Sequence, residues 1–445
     1  MSGRGRTAIV AGAGLGGSLM AIYLARAGYR VKLVERRGDP RRPGIGGGRS
    51  INLAISARGF NALGGVDLEQ RVLGMAIPMR GRMLHDHAGE LKFQPYGTKP
   101  EHVIRSVSRL GLNQMLIDAA SGHEGIELLF EHTVRDVDLE QGNLIASRPG
   151  GGEVTVEGDF VVGADGAFSA VRARMQRLDR FQYSQDYLPL GYKELSIPAG
   201  EGGAFRIERE ALHIWPRGNS MMIALPNADG SFTCTLFWPF EGKAGFTLPE
   251  QPDAIREHFG THFADAVPLM PELVEDYLRN PTSSLVTVRC SPWHVGGRVV
   301  LLGDAAHAVV PFYGQGANAS FEDCVVLDAC LREASGDLGQ AFGEYSRRRK
   351  RHADAIADLA IENFHVMSDR VSSPLFQLGK RGEALAERML PFWFIPLYTM
   401  ISFSLIPYDD ARRRASAQRR QLRLGVLFVV VVVLGILGLL LLPGG

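Results

Sequence analysis

Cysteine is scarce in this sequence, and net charge is almost absent. Four cysteines occur among 445 residues, none in a CxxC pair: Cys234, Cys290, Cys324 and Cys330. This scatter argues against a disulfide scaffold or a zinc site and favours reduced thiols. A net charge of +1 gives no reason to expect nucleic acid as a partner. Because the first predicted strand starts after six mostly polar or small residues, we expect no secretory leader.

The sequence also shows no Ser-His-Asp arrangement, no metal-ligand cluster and no second dinucleotide fingerprint. We therefore expect neither a side-chain nucleophile nor a bound metal. What the chain does have is size: 445 residues, 45% of them hydrophobic and 22% charged, indicate a globular protein of two or three domains.

A glycine-rich turn near the start is the first motif that carries chemistry. Gly12, Gly14 and Gly17 lie between a predicted strand at 7–10 and a predicted helix at 18–27, and a second strand at 30–34 ends at Glu35. In such a βαβ unit, the glycines let the backbone approach a pyrophosphate, and the helix N-terminus attracts its charge. The acid can accept a hydrogen bond from a ribose hydroxyl, which predicts FAD or NAD. The alternative is a glycine-rich loop without a ligand.

Two later motifs narrow the cofactor. A predicted strand at 160–163 ends in Asp165-Gly166, and another at 299–302 ends in Gly303-Asp304. Together with the glycine turn, they resemble the FAD-dependent aromatic hydroxylase family over the whole FAD domain. The resemblance implies that Asp304 binds the flavin ribityl chain, and that the DG turn contacts FAD and is linked to the reduced nicotinamide. It also implies that a helix from about Ala317 points its N-terminus at the flavin. On its own, Asp304 could be a helix cap.

The motifs and the resemblance predict a set of FAD contacts spread along the chain. These are Gly12, Gly14, Leu15, Gly17, Glu35, Arg36, Arg49, Leu53, Arg109, Asp165, Gly166, Asp304, Pro311, Gly316, Ala317 and Asn318. His307, next to the GD motif, is open to a catalytic or a structural interpretation, of which we favour the structural one.

Further stretches go beyond the FAD domain. Residues 48–54, 77–83, 95–99, 212–217, 221–227, 231–237 and 394–400 resemble the kynurenine 3-monooxygenase family over nearly the whole chain. The resemblance implies hydroxylation of L-kynurenine to 3-hydroxy-L-kynurenine in tryptophan degradation, with NADPH and O2 as co-substrates and a flavin C4a-hydroperoxide as oxidant. The flavin then carries the chemistry, and no catalytic side chain is expected. This family has no separate nicotinamide domain.

The resemblance also assigns a substrate site. It implies that Arg82 holds the substrate carboxylate, with Tyr96, Asn363 and Tyr398 completing the polar end. From the residues alone, Arg80 and Arg82 point the same way on an extended segment, and a solvated strand face is the favoured interpretation. Asn363, on an apolar helical stripe, is either satisfied in a core or turned to a ligand. The remaining predicted contacts, which without the resemblance are plain core, are Ile104, Leu212, Ile214, Leu225, Phe237, Pro311, Phe312 and Tyr313. Tyr313 departs from the aromatics or histidine of related enzymes.

The expected fold is α/β, with a Rossmann-type FAD domain, an antiparallel substrate sheet, a C-terminal helical region and a hydrophobic tail helix. We expect FAD segments at 1–75, 101–180 and 291–340, substrate segments at 76–100 and 181–290, a helical region at 341–411 and a basic flank with anchor at 412–445. The uncharged run at 424–442 is long enough for a membrane anchor, although a core or partner-binding helix is the alternative.

Arginines before that run predict a cytoplasmic catalytic part, at a bacterial inner membrane or a mitochondrial outer membrane. The chain is compatible with a homo-oligomeric assembly. Two competing functions stay open: a related membrane-bound flavin hydroxylase acting on another aromatic or a quinone precursor, and a flavin-binding regulator or scaffold without oxygenase activity.

Overall fold

The computed structural model describes residues 3, 5–42, 52–242, 245–247, 251–368, 379, 382–383, 386–389 and 393–440. The side chains of 368, 423, 426–430 and 435–440 are not described. The predicted FAD contact Arg49 lies outside the described residues.

The strands and helices follow one another in mixed order along the chain. The strands are β1 Thr7–Ala11, β2 Arg30–Val34, β3 Asn52–Ile55, β4 Ile77–Met79, β5 Gly81–His85, β6 Leu91–Pro95, β7 Ile104–Ser108, β8 Ile126–Leu129, β9 Thr133–Val137, β10 Leu144–Ser147, β11 Glu153–Val156, β12 Phe160–Gly163, β13 Gln182–Ile197, β14 Ala211–Arg217, β15 Ser220–Pro226, β16 Phe232–Pro239, β17 Ser283–Ser291, β18 His294–Val295 and β19 Val299–Leu301. The helices are α1 Leu15–Arg26, α2 Ala57–Gly64, α3 Glu69–Met75, α4 Arg109–Ser121, α5 Ala170–Met175, α6 Pro252–His262, α7 Leu273–Arg279, α8 Asp304–His307, α9 Gly316–Glu333, α10 Leu338–Ser368, α11 Leu397–Phe403 and α12 Tyr408–Leu440. Short 3₁₀ turns span Glu201–Gly203, Val267–Leu269 and Pro311–Tyr313.

A six-stranded sheet in the order β18-β19-β12-β1-β2-β8 forms the nucleotide-binding half. Its strands are parallel except for β18, which pairs antiparallel with β19. The central strands are apolar at successive positions, and Ala8 through Ala11 are all buried. They share one apolar cluster with residues of α1 and α4 and of the three-stranded sheet β11-β10-β9. The predicted βαβ unit is therefore confirmed, and α1 begins at Leu15, inside the glycine motif. Gly28, predicted to stop this helix, has a φ of +93° just after its end.

A seven-stranded sheet in the order β17-β13-β16-β15-β14-β5-β6 forms the other half. Its centre is a meander of β14, β15 and β16, as the turn residues predicted. Gly218 and Gly230, in the two connecting turns, have φ values of +71° and +88°, which glycine adopts without strain. One face packs on α6 and α7 around Trp238, Phe259 and Tyr277. The other face packs on α10 and on the turn Pro311–Tyr313, so the sheet roofs the space beside the nucleotide-binding half.

The segment that carries the two alternating arginines differs from the prediction. It is not one strand: β4 pairs with β7 in a small sheet, whereas β5 pairs with β14 and β6 in the large one. Because the chain changes sheets at Arg80, the expectation that Arg80 and Arg82 point the same way is wrong. The Nε of Arg80 is 2.7 Å from Glu210 Oε2 at the surface, while Arg82 lines an internal cavity.

The C-terminal helices pack back onto the nucleotide-binding half. Tyr408, Ala411 and Ala415 of α12 join Ile356 and Leu359 of α10 in one buried apolar cluster. Among the described residues, no helix combines the length and apolar character needed to cross a membrane. The expected anchor at 424–442 is thus not supported by the described residues. Residues 441–445 lie outside the description.

Candidate active site

The glycine turn is built from contacts that leave no room for side chains. A Cβ on Gly12 would lie 2.6 Å from Ala164 O, and one on Gly17 would lie 1.9 Å from Gly12 O. A Cβ on Gly14, by contrast, would meet nothing within 4 Å, because this residue opens onto a cavity. Gly12 and Gly17 therefore shape the turn, and Gly14 leaves space for a ligand beside the N-terminus of α1.

Glu35 braces this turn from the end of β2. Its Oε2 accepts a hydrogen bond from the Ala13 N–H at 3.0 Å, and its Oε1 accepts from Arg37 Nε at 3.1 Å. The side chain is nearly buried and does not line the cavity. Its predicted hydrogen bond to a ribose stays a prediction, and the structure adds a local role that the sequence did not reveal.

The DG turn is tied to the GD turn by an arginine. The carboxylate of Asp165 accepts hydrogen bonds from Ser169 Oγ at 2.5 Å and Ala170 N at 2.7 Å, so it caps α5 and leaves Gly166 to line the cavity. Burial raises the pKa of Asp165, although these hydrogen bonds oppose the shift. Arg172, buried on α5, donates to Ala305 O at 2.8 Å. This hydrogen bond connects the two predicted cofactor motifs.

The GD loop presents an exposed carboxylate to the cavity. Asp304 begins the short helix α8 and lines the cavity, whereas His307 at the end of α8 is buried. His307 Nε2 lies 2.5 Å from Asp323 Oδ2 and away from the cavity lining. This geometry favours the structural interpretation of His307.

Most of the predicted FAD contacts meet around a single cavity of about 370 Å³, a volume typical of ligand sites. The predicted FAD contacts in its lining are Gly14, Leu15, Gly17, Leu53, Arg109, Gly166, Asp304, Pro311, Gly316 and Ala317. Those described outside the lining are Gly12, Glu35, Arg36, Asp165 and Asn318. Asn318 is fully used within the protein: it accepts from Ser56 N at 2.9 Å and donates to Ala54 O and Gly314 O at 2.8 Å.

The opposite end of the cavity holds a cation among tyrosines. The Arg82 guanidinium carbon lies 4.9 Å from the Tyr398 ring centroid and 5.6 Å from that of Tyr96. The rings of Tyr96 and Tyr398 stack at 5.4 Å, and Tyr313 stacks on Tyr398 at 5.7 Å. Among the described residues, Arg82 Nε has no hydrogen-bond partner although it is buried. A buried donor without a partner is costly, so this end of the cavity is prepared for an acceptor from a ligand.

The protonation states favour recognition of an anion. Burial raises the pKa of Tyr96, Tyr313 and Tyr398, so these phenols stay neutral and can donate hydrogen bonds. Burial opposes the charge of Arg82, but its tyrosine neighbours hold its pKa above the ordinary value. The cavity therefore ends in a fixed positive charge surrounded by neutral donors.

Between the two ends, the lining is apolar. Of the predicted slot residues, Ile104, Leu212, Leu225, Phe237, Pro311, Phe312 and Tyr313 line the cavity. Ile214 does not line it; it is fully buried in the apolar cluster on the same face of the sheet, where it packs with Phe237 and Phe312. Asn363 is also absent from the lining; its Nδ2 donates to Phe312 O at 2.7 Å and so holds the turn Pro311–Tyr313.

Sequence reasoning missed several lining residues. The clearest are Met221 and Ile223, which occupy every second position of β15 together with the predicted Leu225. Their three side chains therefore lie on the same face of the sheet. That alternation was a usable signal. Met79, Tyr192, Leu285 and Met367 also line the cavity, and they come from segments whose approach depends on the tertiary fold.

Known proteins show the family and the fold of this chain. Residues 6–360 match the family model described as FAD binding domain. The solved tetrameric form of 2-methyl-3-hydroxypyridine-5-carboxylic acid oxygenase superposes with a TM-score of 0.68 at 22% identity, covering 84% of this chain and 95% of that one, which shows the fold. The family model thus places this chain among FAD-binding proteins, and the superposition shows that it has the fold of that oxygenase.

Named relatives are similar over nearly the full length. The kynurenine 3-monooxygenase of Myxococcus xanthus is 50% identical over 90% of this chain and 87% of its own. That of Salinispora arenicola is 47% identical over 95% and 93%, respectively. This chain belongs to the kynurenine 3-monooxygenase family.

The residues present fit FAD. Gly14 and Gly166 both line the cavity, and a Cβ at either would meet nothing within 4 Å, so the backbone leaves space for a ligand there. The first turns of α1 and α9 have no side-chain cap, which leaves backbone N–H groups for ligand oxygens. Arg109 adds positive charge to the same lining.

Proposed function

We propose that this protein hydroxylates L-kynurenine to 3-hydroxy-L-kynurenine, with FAD as cofactor and NADPH and O2 as co-substrates. The observation that carries the proposal is the half-buried Arg82, whose buried Nε has no hydrogen-bond partner among the described residues. It lies at the far end of a cavity that the predicted flavin motifs line at the other end. Kynurenine has a carboxylate at one end and an electron-rich aminophenyl ring at the other. The cavity offers a cation and an apolar slot in the matching order.

Within this proposal, the protein positions the substrate and keeps water out. Arg82, Tyr96 and Tyr398 hold the amino-acid end, which fixes where the ring lies along the cavity. Phe237 and Phe312, whose ring centroids are 5.0 Å apart, form part of the dry wall. Bound FAD supplies the activation of O2.

The residue assignments are part of the same proposal. We propose as substrate contacts the lining residues Arg82, Tyr96, Ile104, Leu212, Leu225, Phe237, Pro311, Phe312, Tyr313 and Tyr398. We propose that Asn363 acts by holding the turn that carries Phe312. The flavin contacts are proposed at Gly14, Leu15, Gly17, Leu53, Arg109, Gly166, Asp304, Gly316 and Ala317.

An uncharged aromatic or quinone precursor is the weaker alternative. Such a substrate would leave the buried Arg82 Nε without an acceptor, at a cost of roughly 1–3 kcal/mol or more. The geometry therefore favours a substrate with a carboxylate.

The test is NADPH oxidation followed at 340 nm with and without L-kynurenine, combined with mass spectrometry of the product. We expect oxidation to depend on kynurenine and the product to gain one oxygen atom. NADPH oxidation that does not respond to kynurenine, or a product without added oxygen, would refute the proposal.

Membrane attachment and assembly are separate proposals. Support for attachment comes from the exposed side chains of Leu424, Val431 and Leu434 after the basic flank of α12. We expect the full chain, but not a chain ending at Gln421, to sediment with anionic vesicles. Equal sedimentation of the two chains would exclude membrane attachment through the residues after Gln421.

Light scattering of the shorter chain tests whether the protein forms a homo-oligomer. A monomeric mass would exclude a homo-oligomer.

A further inference from the structure

A chain of buried ion pairs runs behind the flavin loop. Arg58 Nη1 donates to Glu322 Oε1 at 2.7 Å, and Arg349 Nη1 donates to Glu322 Oε2 at 2.7 Å. Arg349 Nε then donates to Asp323 Oδ1 at 2.6 Å. The side chains of Arg58, Arg349 and Asp323 are at most 2% exposed. Positive and negative groups alternate along the chain, so each buried charge is compensated.

One end of this buried chain holds the flavin loop. Asp323 Oδ2 accepts from the Gly303 N–H at 3.0 Å and lies 2.5 Å from His307 Nε2. These two contacts bracket α8, whose first residue, Asp304, faces the cavity. Although burial alone would raise the pKa of Asp323, His307 and Arg349 hold it below the ordinary value, so the carboxylate stays charged.

The other end holds the C-terminal segment at 406–408, which leads from the loop after α11 into the first residue of α12. Arg58 Nη2 donates to Ile406 O, and the Arg58 guanidinium lies 4.1 Å from the Tyr408 ring centroid. Tyr408 Oη also donates to Gln315 Oε1 at 3.0 Å. Gln315 lines the cavity and immediately precedes α9. The C-terminal segment is thus connected to the flavin side of the cavity twice, through Arg58 and the ion pairs and through the hydrogen bond of Tyr408 to Gln315.

A series of buried ion pairs is an inefficient way to stabilise a protein core. Buried ion pairs usually contribute little net stability compared with apolar residues of the same size, while breaking one is strongly destabilising. Their effect here is to fix the relative positions of three parts: α2 with Arg58, α9 with the two carboxylates, and the segment at 406–408.

We propose that this series of buried ion pairs couples docking of the C-terminal segment at 406–408 to the binding of the flavin. Arg58, Asp323 and Tyr408 are then positioning residues for FAD. Because α11, which carries Tyr398, lies directly before this segment, the flavin and the carboxylate clamp are assembled together. Coupling of this kind is reciprocal: if docking of the segment strengthens FAD binding, FAD must strengthen docking by the same factor. The inference relies on the proposed function only for the identity of the flavin.

The experiment measures both directions of the coupling in the full chain. FAD is titrated into flavin-free protein by fluorescence quenching, for the unaltered protein and for Tyr408→Phe, Arg58→Met and Arg58→Lys. Hydrogen exchange of residues 397–421 is then compared with and without FAD. Arg348→Met is the matched control, because Arg348 makes ion pairs of similar length with Glu333 and Glu344 but is 37% exposed.

We expect the FAD dissociation constant to rise about fivefold in Tyr408→Phe, from the loss of one buried hydrogen bond, and more in Arg58→Met. Arg58→Lys, which retains the charge, should recover part of the affinity, and Arg348→Met should stay within about twofold of the unaltered protein. FAD should slow exchange at 397–421. If Arg58→Met does not fold, Tyr408→Phe carries the test.

The coupling is overturned if Tyr408→Phe binds FAD with unchanged affinity, or if FAD does not change the rate of hydrogen exchange at 397–421. That result would leave kynurenine-dependent turnover intact. Failure of the proposed function would instead appear as normal FAD affinity and normal coupling without kynurenine-dependent turnover.

Discussion

Two arginines separated by one residue have opposite surroundings in this fold. Arg80 is 54% exposed and paired with Glu210. Arg82 is half-buried among tyrosines, and its buried Nε has no partner in the described part of the chain. Local sequence treats them alike, and only the change of sheet between β4 and β5 separates them. This difference supplies a direct comparison for the role of the buried guanidinium.

Arg82→Ala should weaken L-kynurenine binding roughly 10- to 100-fold, because a charge-assisted hydrogen bond to the carboxylate is lost. FAD affinity should stay within about twofold, since Arg82 lies at the far end of the cavity. Arg80→Ala is the control and should bind substrate normally. Kynurenine titration followed by flavin absorbance checks this, and equal affinities for the two variants would remove Arg82 from the clamp.

The glycines of the first turn allow a second comparison at this scale. Gly14→Ala should fold normally, because the new Cβ meets nothing within 4 Å. It should nevertheless weaken FAD binding roughly tenfold or more, because the methyl group occupies space beside the pyrophosphate. Thermal unfolding and FAD titration are the measurements. Normal FAD affinity in a stable Gly14→Ala protein would place the pyrophosphate elsewhere.

Gly17→Ala should behave differently. Its Cβ would lie 1.9 Å from Gly12 O, so the backbone of the turn must move. We expect a loss of roughly 1–3 kcal/mol in the free energy of unfolding, together with weaker FAD binding. A fully stable variant would contradict the close packing of α1 on the turn.

At the scale of elements, strand β5 is fixed to β14 by a buried pair of histidines. His85 Nε2 lies 2.8 Å from His213 Nδ1, and His85 Nδ1 lies 2.6 Å from Asp265 Oδ2. Since Arg82 and Leu212 are register partners on the same two strands, this contact also holds the clamp against the slot.

The histidine pair predicts a pH dependence of stability. Burial lowers the pKa of His213 from 6.5 to about 4, so the unfolded chain takes up a proton more readily than the folded one. The contribution of the neutral His213 to the free energy of unfolding is fully present above pH 6.5 and is lost as the pH falls towards 4. In His213→Gln, the slope of the unfolding free energy against pH should be smaller than in the unaltered protein, by up to about 1.4 kcal/mol per pH unit. Equal slopes in chemical denaturation at several pH values would contradict it.

The elements that sequence predicted best are those specified locally. The strand and glycine turn around Gly14 and the hairpin turn at Gly230 follow from residues next to one another. The partners of Asn318 and Asn363 could not be predicted in this way, because they lie far away in the sequence. Asn318, for example, braces Ser56 and Ala54, which become its neighbours only after the tertiary fold forms.

The whole molecule places its C-terminal helix against the core for several turns. Ala415 and Gln418 of α12 are at most 5% exposed, and Gln418 Nε2 donates to Trp393 O at 2.7 Å. Removal of the C-terminus after Ala411, the expected boundary between the helical region and the basic flank, would therefore also remove part of the folded body.

A chain ending at Gln421 should keep the unfolding temperature and FAD affinity of the full protein. A chain ending at Ala411 should unfold roughly 2 to 8 °C lower, because it loses the contacts of Ala415 and Gln418. Calorimetry on both truncated chains decides this, and identical unfolding temperatures would show that α12 beyond Ala411 adds nothing to the fold.

The central claim is that one cavity holds a flavin at one end and an amino-acid carboxylate at the other. Its most direct test is the flavin difference spectrum of the FAD-loaded protein, titrated with L-kynurenine and with the decarboxylated amine analogue. The arrangement predicts a saturable spectral change with kynurenine and at least roughly tenfold weaker binding of the analogue. Equal affinity for the two compounds, or no change in the flavin spectrum with either, would contradict it.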